Sequence, residues 1–237
     1  PEEIRTSQNE FRIQMEVAKR CSKILRIEDA QIIAACYDED DHLLGLRHYK
    51  EIPSQIENGW RLFLLILMER LEPIINLREK PIPRLREYKE EEVLKLALDI
   101  ADALRTGHTQ ERIIIHRDVK PANIFWDEEN HTYKLGDFGI ARTTQTGTAS
   151  TISRTPAYSA PEMEVGKRYD GIKIDIYSYG MTLYKIMNQW KLPDWEVRYQ
   201  EEILPNPCNG SPKLQEIVKK ACAFRPEDRY DSMEELI

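Results

Sequence analysis

The sequence predicts an α+β fold in which a short strand-containing segment precedes a larger and mostly helical segment. Strand-like apolar runs end near Met68, and beyond that residue helical patterns of apolar residues dominate. The 237 residues suit one domain or a two-lobed unit, and a 41% hydrophobic composition supplies a core. Collagen-like, low-complexity and disordered classes are therefore excluded.

Charge and cysteine usage limit the partners and the cellular setting. A formal net charge of -7 argues against nucleic acid or an anionic membrane surface as the main partner. The longest apolar run, Leu62 to Met68, is far shorter than the roughly 20 residues of a membrane span, and charged sequence instead of a signal peptide follows Pro1. Four widely spaced cysteines without a C-x-x-C pair are typical of reduced thiols, so we expect a cytoplasmic protein. These are Cys21, Cys36, Cys208 and Cys222.

Three elements are predicted in the first segment. Apolar residues at helical spacings predict a helix from Glu10 to Cys36, as one long helix or two. Strands are predicted from Leu43 to Ile52 and from Trp60 to Met68. Because the turn-rich residues 53–59 join these two strands, we expect them to pair as a hairpin.

The second segment alternates helices with short strands. Helical patterns cover Val93 to Leu104, with Gly107 as the stop signal, then Ile174 to Met187, Leu214 to Cys222, and a helix beginning at Asp231. The helix from Ile174 is apolar on nearly every side and is expected at the centre of the core. Short strands are predicted at Ile113–Ile115, Asn123–Trp126 and Thr132–Phe138, and residues 143–155 form a Ser/Thr-rich loop.

Three short motifs follow one another in this second segment. They are His116-Arg117-Asp118-Val119-Lys120-Pro121-Ala122-Asn123, then Asp137-Phe138-Gly139, then Ala160-Pro161-Glu162. Together they resemble the catalytic loop, the metal-binding turn and the end of the activation segment of a eukaryotic-type serine/threonine protein kinase. Within this family the chain resembles bacterial members more than animal ones. The resemblance implies a protein-kinase-like two-lobed fold with an incomplete small lobe. Residues 1–71 would be a partial N-lobe with a hinge near 69–71, and residues 72–237 a C-lobe.

The resemblance also assigns chemical roles. Asp118 would accept the proton of a substrate Ser/Thr hydroxyl, and Lys120 would steady the transferred phosphate. Asn123 and Asp137 would hold Mg²⁺, a hard cation that prefers oxygen ligands. The implied cofactors are therefore ATP and Mg²⁺, and the implied partner is a protein with a Ser/Thr acceptor.

Further positions follow from the same resemblance. Met68 would lie behind the adenine pocket, Glu69 and Leu71 would present backbone groups to the base, and Phe125 would lie beneath it. Asp175 is similar to the residue that braces the catalytic loop, and Glu162 and Arg229 to a structural ion pair.

Regulation is expected on the hydroxyl-rich loop. Arg117 would pair with a phosphate on Thr148, Ser150 or Thr151. Thr155 would hydrogen-bond toward Asp118 and shape the floor under the acceptor residue. Arg154 departs from the family, which usually has glycine there.

The small lobe departs further from the family. No two of the ten glycines are separated by a single residue, so the chain contains no G-x-G-x-x-G loop. Lys19 is the nearest match to the phosphate-gripping lysine, but it lies in a helical pattern and is expected to be solvated. Gln14, Glu16 and Glu28 remain alternatives for the helix position that pairs with this lysine in kinases.

Two functions are consistent with this pattern. The first is a Mg²⁺-ATP serine/threonine kinase whose first strands are missing from the sequence, so that the chain as given has negligible activity. The alternative is a pseudokinase or regulatory scaffold that binds partners through the C-lobe. The intact Asp118, Lys120, Asn123 and Asp137 favour the kinase, whereas the missing loop and lysine favour the scaffold.

Overall fold

The computed structural model describes residues 11–75, 87–137, 142–144, 148–149, 156–163, 169–194, 198 and 204–237. The fold is α+β, as predicted. The strands are β1 (Ile27–Tyr37), β2 (Leu43–Tyr49), β3 (Trp60–Met68), β4 (Glu72–Pro73), β5 (Ile113–Ile115), β6 (Ile124–Asp127), β7 (Thr132–Leu135), β8 (Arg142–Thr144), β9 (Thr148–Ala149) and β10 (Tyr169–Asp170). The helices are α1 (11–18), α2 (Glu90–His108), α3 (Gly171–Met187), α4 (Pro212–Ala221) and α5 (Met233–Leu236). Short 3₁₀ turns occur at Pro121–Asn123, Pro156–Tyr158 and Pro226–Asp228.

The first lobe contains a three-stranded antiparallel sheet in the order β2-β1-β3. The predicted helix from Glu10 to Cys36 is therefore wrong beyond residue 18, because its second half is the central strand. Within β1 the buried residues Ile32 and Ala34 flank a half-buried Ile33, which is the two-residue period of a strand. The β-branched isoleucines also suit a strand better than a helix.

The predicted hairpin is also wrong. Strands β2 and β3 have the predicted positions, but β1 lies between them and pairs with both. Ile32, for example, lies opposite Tyr49 on one side and Leu64 on the other. The turn-rich connection 53–59 therefore crosses from one edge of the sheet to the other.

A short segment before β1 attaches the first lobe to the second. The Leu25 amide donates to the Leu135 carbonyl (2.8 Å), and the Leu135 amide donates to the Lys23 carbonyl (2.8 Å). The Lys23 ammonium lies 3.0 Å from a carboxylate oxygen of Asp99 on α2. The start of the sheet is thus held by both backbone and charge against β7 and α2.

The second lobe is built around α3, and nearly all side chains of α3 are buried, as predicted. Asp170 caps its first turn by accepting hydrogen bonds from two backbone amides. Helices α2 and α4 pack against it. The Tyr179 hydroxyl donates to the Ala97 carbonyl of α2, and Gly180 permits close approach of α4, because a Cβ there would lie 2.7 Å from Cys222 Sγ.

The remaining strands frame the loop between β5 and β6. Strands β6 and β7 form a hairpin, and β4 pairs with β6. Strand β5 pairs with β8, and β9 pairs with β10. Residues 116–123 therefore leave one small sheet and enter the next, which positions this loop between two small sheets of the second lobe.

Candidate active site

Asp175, one turn inside α3, fixes the start of the loop 116–123. Its side chain is fully buried and accepts hydrogen bonds from the backbone amides of His116 (2.8 Å) and Arg117 (2.7 Å). His108 at the end of α2 also contacts Asp175, with 2.9 Å between Nε2 and Oδ2. Sequence reasoning identified Asp175 but missed His108, because nothing local distinguishes a histidine in the last turn of a helix.

Asp118 is the centre of a cluster of polar side chains. Its Oδ2 atom accepts hydrogen bonds from Lys120 Nζ (2.6 Å) and from Asn123 Nδ2 (3.1 Å). Asn123 Nδ2 also donates to the Asp118 carbonyl (2.9 Å). The structure therefore brings together three of the residues that the sequence motif indicated.

His116 links this loop to the residues before Asp137. Its Nε2–H donates to the Gly136 carbonyl (3.1 Å), while Nδ1 accepts from the Asp118 amide (3.3 Å). Burial lowers the pKa of His116, which matches a neutral ring with one donor and one acceptor nitrogen. The Gly136 amide donates to the Asn123 carbonyl (2.9 Å), so Asp137 follows directly from a residue bonded to Asn123.

Unusual backbone conformations occur at two positions of the site. Arg117 has a backbone φ angle of 71° and Asp137 one of 58°, and residues other than glycine seldom adopt such positive values. Such strain persists only where surrounding contacts enforce it, and it is concentrated at functional sites. Gly136 is required by close packing, because a Cβ would lie 2.8 Å from Leu25 Cδ2 and 2.9 Å from Phe125 Cε2.

The donor set suits a hard divalent cation. Asp137 is exposed. The two hydrogen bonds from Asn123 to Asp118 use the amide nitrogen of Asn123 and do not occupy its amide oxygen. A carboxylate and an amide oxygen are ligands that Mg²⁺ accepts together with phosphate oxygens. Among the described residues no group of three or more His, Cys, Asp or Glu side chains is arranged to hold a metal ion. The residues thus fit Mg²⁺ carried by a nucleotide better than a cage made of protein alone.

Glu69 follows β3 and ties the two lobes together. Its carboxylate accepts hydrogen bonds from the Arg26 amide (2.6 Å) and from Lys134 Nζ (2.8 Å), and Lys134 also lies 2.8 Å from Asp127. The Glu69 amide donates to the Arg26 carbonyl (3.1 Å), so its own carbonyl is the backbone group that could serve a base. The motif indicated Glu69 for its backbone alone and missed its side-chain contacts.

The other residues expected around adenine surround Glu69 and β6. Met68 is 42% exposed at the end of β3, and Leu71 is half-buried two residues after Glu69. Phe125 is half-buried in β6 and lies opposite Pro73. These side chains therefore border the junction between the two lobes.

The structure separates the three candidates for the lysine-pairing position. Gln14 is buried on α1, and its Nε2 donates to the Leu25 carbonyl (2.8 Å). Glu16 is exposed, and Glu28 lies in β1 beside Arg26, so Glu28 as a helix residue is wrong. Lys19 is exposed just beyond α1, where it was expected to be solvated. The inward position on this helix is therefore occupied by an amide and not by a carboxylate.

Glu162 and Arg229 form a bidentate pair in which the arginine is buried and the glutamate is partly buried. Arg229 Nη1 and Nη2 lie 2.6 and 2.9 Å from the two carboxylate oxygens of Glu162, and the Arg229 side chain is fully buried. The guanidinium also donates to the carbonyls of Ala223, Lys173 and Phe224. This pair closes the second lobe between the 156–163 segment and the segment after α4.

Several predicted positions are only partly covered by the structure. Thr148 lies in β9, whose backbone pairs Thr148 with Asp170. Arg117 is buried, at 3% exposure. Outside the described residues lie Phe138, Gly139, Ser150, Thr151, Arg154 and Thr155.

The braced Asp118 loop, the backbone hydrogen bond between Gly136 and Asn123 and the central buried helix are typical of one enzyme class, the phosphotransferases with a two-lobed fold. The protein kinase domain family matches residues 57–237, so the chain belongs to this family. Its domain is a serine/threonine protein kinase domain, a class of transferase that generally uses ATP and Mg²⁺ and acts on protein substrates.

Similar proteins are longer than this chain. Serine/threonine-protein kinase Pkn1 of Myxococcus xanthus is 34% identical over 158 residues, which cover 60% of this chain and 22% of Pkn1. A probable serine/threonine-protein kinase, nek2 of Dictyostelium discoideum, is 32% identical over 156 residues, which cover 61% of this chain and 36% of nek2. The matched part is thus little more than a third of nek2 and less of Pkn1. Within the described ranges, no helix combines the length and apolar character that crossing a bilayer requires.

Proposed function

We propose that this chain carries the catalytic residues of a serine/threonine kinase that transfers the γ-phosphate of Mg²⁺-ATP to Ser/Thr hydroxyls of proteins. The observation that supports this most directly is the Asp118 carboxylate, which is contacted by Lys120 and Asn123 on a loop braced by Asp175.

Each residue has a role in the transfer. The oxygen of the substrate hydroxyl forms a bond to the γ-phosphorus while the bond between that phosphorus and the ADP oxygen breaks. Asp118 accepts the proton that the hydroxyl loses. Lys120 balances charge on the moving phosphoryl group. Asn123 and Asp137 hold Mg²⁺, which neutralises phosphate charge when it is bound.

The junction between the lobes binds the base. The Glu69 carbonyl and the Leu71 amide face adenine, Met68 closes the rear of the pocket and Phe125 lies beneath. A phosphate on Thr148, Ser150 or Thr151 pairs with Arg117 and orders the segment between β8 and β10.

The 237-residue chain alone transfers phosphate at a negligible rate. It contains neither a glycine loop nor a lysine on a strand beside β3 among the described residues. Removal of one preorganised donor typically costs on the order of 10²–10³ in rate. The loss of a whole loop and a lysine therefore leaves binding residues without efficient transfer.

Nucleotide binding and transfer test these two statements separately. Mg²⁺-ATP should raise the thermal unfolding midpoint of the wild type, but not that of Asp137→Ala, and EDTA should remove the effect. Labelled γ-phosphate transfer to a Ser/Thr peptide mixture should not exceed that of Asp118→Asn. The proposed kinase function is contradicted if Mg²⁺-ATP leaves the unfolding midpoint unchanged. The expected lack of activity in the 237-residue chain is contradicted if phosphate transfer occurs and Asp137→Ala abolishes it.

One observation favours the scaffold alternative. Gln14 occupies the inward position of α1 and bonds to the Leu25 carbonyl, so it offers no carboxylate to a phosphate-gripping lysine. Under this alternative, the folded chain shows no nucleotide-dependent shift in its unfolding midpoint. The same thermal experiment therefore discriminates between the two functions.

A further inference from the structure

One face of α3 carries a lysine toward the catalytic loop. Ser178 Oγ donates to the Tyr158 carbonyl (3.0 Å), Thr182 Oγ1 donates to the Val119 carbonyl (3.2 Å), and Lys185 Nζ donates to the Tyr158 hydroxyl (3.0 Å). These three helix residues follow at intervals of four and three, so they share one face. Lys185 thus lies about one helical turn from Thr182, whose hydroxyl contacts Val119, the residue after Asp118.

The charge of Lys185 lacks an acidic partner in the part of the chain that the structure describes. Its recorded contacts there are the hydroxyl and the ring of Tyr158, the ring centroid lying 5.5 Å from Nζ. Burial, followed by the nearby charge of Asp118, raises the pKa of Tyr158 to about 12, so its hydroxyl stays neutral. Burial lowers the pKa of Lys185, as expected for a half-buried ammonium without a counter-charge.

Other lysines near the site are neutralised. Lys120 lies 2.6 Å from Asp118, Lys134 lies 2.8 Å from Glu69, and Lys23 lies 3.0 Å from Asp99. Lys185 differs from these three lysines because its hydrogen-bond partner is a neutral hydroxyl. Although the protein has a net charge of -7, no acidic side chain of the described residues compensates this cation, so an anionic ligand would stabilise it.

A second cation borders the same short segment. Arg198 is buried, and its Nη1 donates to the Ala157 carbonyl (3.0 Å). Within the turn Pro156–Tyr158, Arg198 therefore contacts Ala157 and Lys185 contacts the adjacent Tyr158. It directly follows Thr155, which the family resemblance places under the acceptor residue.

We propose that Lys185 is a specificity-determining residue that binds the carboxylate of an Asp or Glu next to the Ser/Thr acceptor of the protein substrate. This inference rests on the proposed kinase function. A charge-assisted hydrogen bond from Nζ to such a carboxylate would return to Lys185 the solvation that burial removes. Tyr158 would orient the ammonium through its hydroxyl.

The test measures peptide binding and does not depend on catalysis. Three fluorescent peptides share a central Ser and differ only in flanking residues, which are all Glu, all Gln or all Lys. Fluorescence anisotropy gives their dissociation constants for the 237-residue wild type at low salt. The variants are Lys185→Gln, Lys185→Glu and Lys185→Arg, with Lys213→Glu on the exposed side of α4 as the matched control.

We expect the wild type to bind the Glu peptide about tenfold more tightly than the Gln peptide. Lys185→Gln should remove this preference and Lys185→Glu should shift it toward the Lys peptide. Lys185→Arg and Lys213→Glu should retain it. Circular dichroism establishes which variants fold, and the charge-preserving Arg variant keeps the comparison valid if Glu disrupts the helix.

The inference is overturned if the wild type binds the Glu and Gln peptides equally, or if Lys185→Gln keeps the full preference. If no peptide binds, the acceptor site itself is absent and the inference falls with it. Failure of the proposed function has a different signature. Mg²⁺-ATP then leaves the unfolding midpoint unchanged whatever the peptides do.

Discussion

His108 Nε2 lies 2.9 Å from Asp175 Oδ2, and both side chains are buried. The two residues are 67 positions apart and connect the end of α2 to the second turn of α3. Because Asp175 also accepts hydrogen bonds from two backbone amides of the loop 116–123, this contact couples the packing of α2 to the position of Asp118. Its strength can be measured through stability.

Asp175→Ala should lower the free energy of unfolding by about 3–5 kcal/mol, since it leaves two buried amides and His108 without their acceptor. His108→Leu should cost about 1–3 kcal/mol, because Asp175 keeps its two backbone partners. Urea denaturation measures both. Equal losses for the two variants would contradict the central role given to Asp175.

Arg229→Met should lower the free energy of unfolding by about 3–5 kcal/mol, because Glu162 and three backbone carbonyls lose their donor. Arg229→Lys should recover only part of this loss, since an ammonium cannot reproduce the planar fork. The control is Glu28→Gln, which breaks an exposed pair with Arg26 and should cost less than about 1 kcal/mol. A loss of similar size for Arg229→Met and Glu28→Gln would show that burial does not strengthen the first pair.

Asp127 should make stability depend on pH in the acid range. Burial alone would raise the pKa of Asp127, but hydrogen bonds from Lys134 and Asn130 outweigh it and lower the pKa from 3.8 to about 2. The ionised carboxylate therefore stabilises the fold above about pH 4, and this contribution disappears as the pH falls toward 2. Between pH 4 and pH 2, the urea midpoint should fall further for the wild type than for Asp127→Asn. Parallel pH profiles would rule out this contribution.

Lys134→Met should loosen the junction between the lobes. It removes the Lys134 contact with Glu69, whose carboxylate also holds the Arg26 amide. Hydrogen exchange at the Arg26 amide should accelerate about tenfold, which corresponds to about 1.4 kcal/mol of local stability. The Arg117 amide, bonded to Asp175, is the internal control and should change less. The same acceleration at both amides would indicate global destabilisation and not a local brace.

Local patterns predicted the second lobe well and the first lobe poorly. Helices α2 and α3 and strands β5 to β7 have the expected positions, because each carries a clear period and clear end signals. In β1 the apolar residues continue a helical spacing that begins in α1, and only pairing with β2 and β3 selects the strand. A hairpin was expected for the same reason, since the sequence shows which strands are neighbours in the chain but not which are neighbours in the sheet.

By itself, the sequence determined the kinase motifs and hence the residues Asp118, Lys120, Asn123 and Asp137. It could do so because chemistry requires those side chains at short, fixed spacings. Only the tertiary structure decided the partners of the buried polar groups: Asp175 contacts His108, Lys134 contacts Glu69, and Lys185 contacts a neutral tyrosine. Desolvation and hydrogen bonding depend on partners that are distant in the chain, and the fold alone brings those partners together.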